Sequence, residues 1–474
     1  MLFNSISFVF FFVIVTTLYF LLPHKYRWFL LLVASCIFYM AFVPVYILIL
    51  GFTIVIDYFA GIYIENAKGA RRKLLLTVSL VANVGILAIF KYFNFISENL
   101  TDLLHAFGMP VSLPLLTILL PIGLSFHTFQ AMSYTIEVYR GNQKALRDFG
   151  IYSLYVMFYP QLVAGPIERP QNLLHQFYEK HYFDAFRVTE GLKRMLWGMF
   201  KKIVIADRLS LYVDAAYNNV NHHSSITLIV ATIFFAIQIY CDFSGYADIA
   251  LGTAQVMGFE LMENFKRPYF SKSISEFWSR WHISLSTWFK DYLYISLGGN
   301  RVSVPRWYFN LFIVFLLSGL WHGANWTYLM WGALNGLYLI FAIVLVKPKN
   351  YFNNLMGASR FPKVFAVFQI LTTFALVCFS WIFFRANNIG DAFKIISKIF
   401  QFKGRLFMQE DIFYALTGIG ILFITEFVSE YYPDKKLLLK SENVAIRFST
   451  YALIILLMLT IGVFDGGQFI YFQF

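Results

Sequence analysis

Apolar runs close to the roughly 20 residues that an α-helix needs to cross a bilayer recur along the whole chain. They fall at 5–22, 28–43, 45–64, 74–97, 113–139, 195–217, 225–257, 307–321, 326–346, 364–384, 412–432 and 443–464. The pattern predicts an all-α polytopic membrane protein of about twelve transmembrane helices. One apolar segment, 149–170, is broken by Pro160, Gly165 and Pro166. It is expected to be re-entrant or to lie at the interface, because broken backbone inside a bilayer must be enclosed by protein. The first 22 residues carry no basic leader and no small-residue cleavage site, so they are expected to be retained as the first span.

Lys and Arg mark the cytoplasmic side of such a chain. The loops HKYR (24–27) and KGARRK (68–73), the region Arg140–Arg208, residues 266–306 and the cluster Lys435, Lys436, Lys440 and Arg447 are all basic. Residues 98–112 and 209–265 contain neither Lys nor Arg. Both termini are therefore expected outside, and the turns near 218–224 and 322–325 are external. One region disagrees: 385–410 should be external yet holds Arg385, Lys394, Lys398, Lys403 and Arg405. Either it meets an anionic ligand or the parity fails near the tenth span.

Composition strengthens this reading. The 474 residues are 59% hydrophobic and only 14% charged, against about a quarter charged in soluble domains. The formal net charge of +12 resides in the loops between spans, as topology requires, so no nucleic-acid partner is expected. Cys36, Cys241 and Cys378 are isolated in or beside apolar runs and suggest neither a disulfide framework nor a metal site.

Against this background the stretch FWSRWHISLSTWFKDYLYISLGGNR (277–301) stands out. It packs Arg280, His282, Lys290, Asp291 and Arg301 among three tryptophans. Polar and ionisable groups at membrane depth are functional candidates by default. His282 and His322 have the ring chemistry for proton transfer near neutral pH, although an isolated membrane histidine also serves as a hydrogen bonder between helices. Gly319 and Gly323 flank His322 and permit close backbone approach, as a tunnel wall needs. In QIYCDFSGYADIALG (238–252), Asp242, Ser244, Tyr246 and Asp248 form either a buried hydrogen-bond network or part of a site. His127, Gln130, Ser133, Tyr134 and Glu137 form a stripe at helical spacing, read as core lining. No nucleophile elbow, P-loop or dinucleotide fingerprint occurs, and two carboxylates without a histidine cluster give no metal-ligand spacing.

The residues then carry a resemblance. The blocks PIGLSFHTFQAMSYTIEVYRG (121–141), GPIERP (165–170), QIYCDFSGYADIALG, the 277–301 stretch, SGLWHGANWTYLMWGALNGLYL (318–339), WIFFRA (381–386) and terminal FIYFQF (469–474) occur together and in order. The chain is similar to the membrane-bound O-acyltransferase family, in its bacterial branch with alginate O-acetylases and the D-alanyl transfer protein of teichoic acid. The resemblance implies a ring of helices around a central tunnel. It implies one integral-membrane domain over 1–474, with the family core at about 113–346 and an extra final span and tail at 443–474. The near-invariant tunnel histidine falls on His322 and the second position, frequently Asn or His, on His282. Asp242, Ser244, Tyr246, Trp281, Trp321 and Asn325 are expected to support the tunnel or donor site.

The expected function is transfer of an acyl group, acetyl in the first instance, from a cytoplasmic thioester to an extracytoplasmic polysaccharide. No bound cofactor is expected. Acetyl-CoA or another acyl thioester would be the donor substrate, and membrane lipids would surround the chain. Tyr471, in the external tail, is a candidate acyl acceptor that would relay the group to an SGNH-type extracytoplasmic partner; the alternative is an aromatic interface anchor. The expected location is the bacterial cytoplasmic membrane. Two rivals remain: D-alanyl transfer from a carrier protein, and a non-enzymatic polysaccharide or lipid transporter. The absence of an evident internal repeat counts against the latter.

Overall fold

The computed structural model describes residues 1–117, 121–348, 351, 360–408, 411–435, 438–464, 469 and 470. Its principal helices are α1 (Ile6–Leu21), α2 (His24–Met40), α3 (Ile47–Asn66), α4 (Gly69–Ala106), α5 (Leu124–Arg140), α6 (Phe149–Met157), α7 (Ala185–Phe200), α8 (Asp207–Tyr217), α9 (Ser225–Met257), α10 (Ile274–Arg280), α11 (Ile283–Trp288), α12 (Val304–His322), α13 (Trp326–Val344), α14 (Pro362–Arg385), α15 (Ile389–Ile399), α16 (Asp411–Tyr431) and α17 (Val444–Ile461). No strand occurs among the described residues, so the all-α expectation holds. Short polar side chains set several starts. Ser5 accepts from Phe8 N, Asp148 from Ile151 N, Asn325 from Thr327 N and Asn443 from Ala445 N, each satisfying an N–H that the helix cannot.

Among the described residues, eight helices are long and apolar enough to span a bilayer: Pro44–Asn66, Gly69–Ala106, Ser225–Met257, Val304–His322, Trp326–Val344, Pro362–Arg385, Ile412–Tyr431 and Val444–Ile461. The protein is thus polytopic. α1 is apolar but has only 16 residues. Three further expected spans take a different form: 28–43 falls on α2, which has 17 residues and is not among the eight. The segment 113–139 is not one helix: 113–117 is irregular, and α5 begins only after Pro121 and Gly123, whose φ of 78° interrupts regular helix. The segment 195–217 is continuous but changes to π-helix over Lys201–Ala206.

The chain forms two compact units, Met1–Leu196 with Tyr246–Met262, and Trp197–Gly245 with Glu263 onward. In the first, α3, α4 and α5 enclose a polar seam: Ser79 and Asn83 donate to Asp57, and His127 lies 2.5 Å from Thr53 Oγ1. The stripe on α5 is buried, with Gln130 donating to the Tyr155 carbonyl at 2.8 Å, so core lining is what it does. Residues 151–168, which include the breaks at Pro160, Gly165 and Pro166, are also buried there, as broken backbone requires.

The second unit is built on the α12–α13 hairpin. Gly319 and Gly332 meet at its crossing, where a Cβ on Gly319 would collide with the Tyr328 carbonyl and one on Gly332 with the Phe315 carbonyl. This is the close packing that small residues permit between membrane helices. α14 packs beside α13, and α10 and α11 carry the polar 277–301 stretch.

Candidate active site

Two cavities in the second unit frame the candidate chemistry. The first, about 420 Å³, is mainly apolar and is walled by Trp278, Leu285, Phe289, Leu311, Val314, Phe315 and Leu339, with Ser318 and Lys290 also on its surface. On α12 its wall follows Leu311, Val314 and Ser318, spaced three and four apart on one helix face, and the next residue on that face is His322. The second cavity, about 460 Å³, is polar. Lys202, Asp207 and Asp214 line it from the α8 side, Phe235, Gln238 and Asp242 from α9, Asn325 and Tyr328 from α13, and Phe384 and Arg385 from α14.

A path of rings joins the two. Trp278 meets Trp331 edge-on at 5.7 Å, Trp331 meets His322 at 5.1 Å, and His322 meets Phe384 at 5.3 Å. Trp278 is a wall of the apolar cavity and Phe384 of the polar one. His322 is only 4% exposed and stands one ring from the polar cavity. Trp321 links the two histidines, with centroids 4.9 Å from His322 and 6.4 Å from His282. Trp281 packs on Trp381 at 5.2 Å, and Trp381 stacks on Trp331 at 5.7 Å, closing an aromatic cage. Dense aromatic packing of this kind excludes water and fixes the imidazole planes.

His282 is the N-cap of α11 and adopts φ 43°, a left-handed conformation unusual for a side-chain-bearing residue. Asn264 holds it there. Asn264 Oδ1 accepts from Ser284 N at 3.1 Å and Ser284 Oγ at 2.9 Å, and His282 Nδ1 lies 3.2 Å away. A main-chain N–H only donates, which identifies the Asn264 atom as oxygen. His282 Nδ1 is therefore the donor in this contact.

The polar cavity is organised by Lys202. This buried ammonium donates to Asp207 at 2.8 Å and to Asp242 at 2.6 Å. The π-turn makes the first pairing possible: an i→i+5 backbone bond from Asp207 N to Lys202 O aligns residues five apart. Phe235, Gln238 and Asp242 share one face of α9. Asp207 Oδ2 and Gln238 Oε1 have no hydrogen-bond partner among the described residues, although both residues are buried and line the cavity.

Residues 74–382 match the model of the membrane-bound O-acyltransferase family. The chain belongs to that family. It is 41% identical over 408 residues to the probable alginate O-acetylase AlgI of Pseudomonas aeruginosa, covering 85% of this chain and 75% of that protein. It is 33% identical to the peptidoglycan O-acetyltransferase of Helicobacter pylori, covering 85% and 76%. The teichoic acid D-alanyltransferase of Bacillus subtilis is 26% identical over 56% of this chain and 68% of that protein. This chain is accordingly an O-acyltransferase and an integral membrane protein, which sets the transporter alternative aside.

For the O-acyltransferase, most of the expected site residues converge. His282, His322, Trp281 and Trp321 share the aromatic cage, while Asp242 and Asn325 line the polar cavity. Ser244 accepts from Lys201 Nζ at 2.8 Å. Tyr246 goes elsewhere, its ring packing on Phe3 in the first unit at 4.7 Å. Tyr471 lies outside the described residues. Asp248 pairs with Arg194 at 3.0 Å, so each of the two α9 aspartates has found a cation. Sequence reading missed Lys202, Asp207, Gln238, Asn264 and Phe384. The signal for the first two was present, as KKIVIAD places three charges within an expected span. The basic 266–306 surface is partly neutralised: Glu430 accepts from Arg267 at 2.7 Å and from Arg280 at 2.8 Å. Burial alone would lower the Arg280 guanidinium, but Glu430 and Glu276 outweigh it and hold it above its ordinary value.

Proposed function

We propose that this O-acyltransferase moves an acetyl group from a cytoplasmic thioester, acetyl-CoA, to the outer face of the bacterial cytoplasmic membrane for O-acetylation of a polysaccharide. The ring path from the apolar cavity through Trp278, Trp331 and His322 to Phe384 carries this reading, since it supplies one histidine with a cavity on either side. On this account the apolar cavity receives the acyl end of the donor, and Lys290 meets a donor phosphate. The polar cavity faces outward, which agrees with the external positions expected for 218–224, 322–325 and both termini.

His322 takes the proton of the acceptor hydroxyl, the oxygen attacks the thioester carbonyl, and the carbon–sulfur bond breaks to release the thiol with that proton. The charged donor never crosses. His282, through Trp321, keeps His322 in place. The buried acceptors Asp207 Oδ2 and Gln238 Oε1 suit an incoming hydroxyl. Tyr471 is the first acceptor: its phenol takes the acetyl group as an ester and passes it to an SGNH-type extracytoplasmic partner, which completes transfer to a sugar hydroxyl. Acetyl is favoured over D-alanyl because the two O-acetyl-transferring relatives match more of this chain, at higher identity, than the D-alanyl one. Mass spectrometry of surface glycans from cells with and without the gene tests the reading. Loss of O-acetyl groups is expected; unchanged acetylation, or loss of D-alanyl esters instead, overturns it.

A further inference from the structure

We infer that Lys202 and Asp242 form the docking site of the chain's own C-terminal tail, a positioning device and not a participant in acyl transfer. The inference rests on the reading of the polar cavity as the acceptor side. Asp242 Oδ2 accepts the main-chain N–H of Ile470 at 2.7 Å. The ring of the preceding residue, Phe469, lies over Lys202 with its centroid 4.3 Å from Nζ. Successive tail residues thus engage the anion and the cation of one pair, and both are buried.

The geometry of the pair leaves room for this. Lys202 meets Asp242 through Oδ1, which leaves Oδ2 for a second donor, and a main-chain N–H is a strong one for a buried carboxylate. The Arg385–Asp214 pair on the same cavity bears no tail contact among the described residues.

The tail is guided to this point. Arg208 donates to the Ile461 carbonyl, at 3.1 Å from Nε, and Val463 N donates to the Ile203 carbonyl at 3.0 Å. Lys202 and Ile203 belong to the π-turn and Arg208 to the first turn of α8, so Ile461, Val463 and Phe469 are all met by one short stretch of chain. π-Turns are often found where a helix has been adapted to a function. The bond to Ile470 uses only main chain, so the site reads backbone and not the residue type there. Ile470 is itself a wall of the cavity, and fixing its main chain fixes the point from which the last residues start.

Thiol accessibility tests this on the full chain, with Cys36, Cys241 and Cys378 replaced by alanine and Ile470→Cys as the probe. The cysteine retains the N–H and so retains docking. In detergent, modification of position 470 by a charged maleimide should be at least about tenfold slower than at a Gln401→Cys control on the exposed surface, a difference equivalent to ~1.4 kcal/mol. Asp242→Asn should bring it towards the control rate. Equal rates at 470 with Asp242 present and absent, or a fast rate with it present, overturn the inference. Ile470→Pro removes the same N–H without touching the helices. It should lower polysaccharide acetylation as far as Asp242→Asn does, and the double variant should be no lower than either single; additive losses, or normal acetylation in Ile470→Pro, also overturn it. If Tyr471→Phe leaves acetylation intact, the relay reading fails while the labelling result still decides docking.

Discussion

The imidazole of His322 meets the ring of Phe384 edge-on, with centroids 5.3 Å apart, and Phe384 is part of the polar cavity wall. A single aromatic ring therefore separates the candidate base from the space in which an acceptor would sit. That ring should act as a partition against water as well as a wall. Phe384→Ala should shift turnover from transfer to hydrolysis, raising thiol release per acetyl group delivered several-fold. Parallel assays of free thiol and acetylated product would show it. An unchanged ratio would mean that Phe384 plays no part in keeping water out.

His282 makes a sharper case because its backbone is restricted. At φ 43° asparagine is far better tolerated than a β-branched residue, so His282→Asn should reach wild-type levels in the membrane, whereas His282→Val should lose thermal stability. Asn264→Ala should reproduce part of the activity loss of His282→Ala, since it removes the oxygen that orients Nδ1 and caps Ser284. Detergent melting curves and acetylation assays on the four variants separate conformational from chemical effects.

The donor side predicts a binding effect. Lys290→Ala should raise the KM for the thioester several-fold and leave kcat nearly unchanged, and the difference should shrink at high salt because exposed charges are screened. A loss confined to kcat would place Lys290 elsewhere in the cycle.

Packing at the hairpin crossing is tested most simply at Gly319. Gly319→Ala forces a methyl group against the Tyr328 carbonyl, and overpacking of this kind destabilises by about 1–3 kcal/mol. A measurable fall in Tm should accompany a loss of activity, since α12 carries His322 directly above the crossing.

Much of this was legible in the sequence for identifiable reasons. Hydropathy gave the helical class and most spans, because the bilayer imposes length and composition on a helix without regard to tertiary context. The stretch 277–301 and His322 were visible as polar residues that hydrocarbon would not tolerate unless enclosed. Three features were hidden. The span expected at 113–139 begins as irregular chain because Pro121 and Gly123 delay α5, which an average over apolar residues does not register. Lys202 and Asp207 lie within the expected span 195–217 but show no evident partnership there, because their pairing depends on a π-turn that shifts the alignment from four residues to five. Asn264 gave no signal at all; its role comes from a contact with His282 across 18 positions of chain.

On the proposed mechanism, His322 carries the proton transfer that moves the acyl group from the apolar to the polar cavity. The most direct measurement is the O-acetyl content of surface polysaccharide in cells whose only copy of the gene carries His322→Ala, with the variant's membrane abundance measured alongside. At wild-type abundance, acetylation should fall by about 10²–10⁴-fold, as expected on losing a general base. Full acetylation by a stably inserted His322→Ala protein would contradict the account.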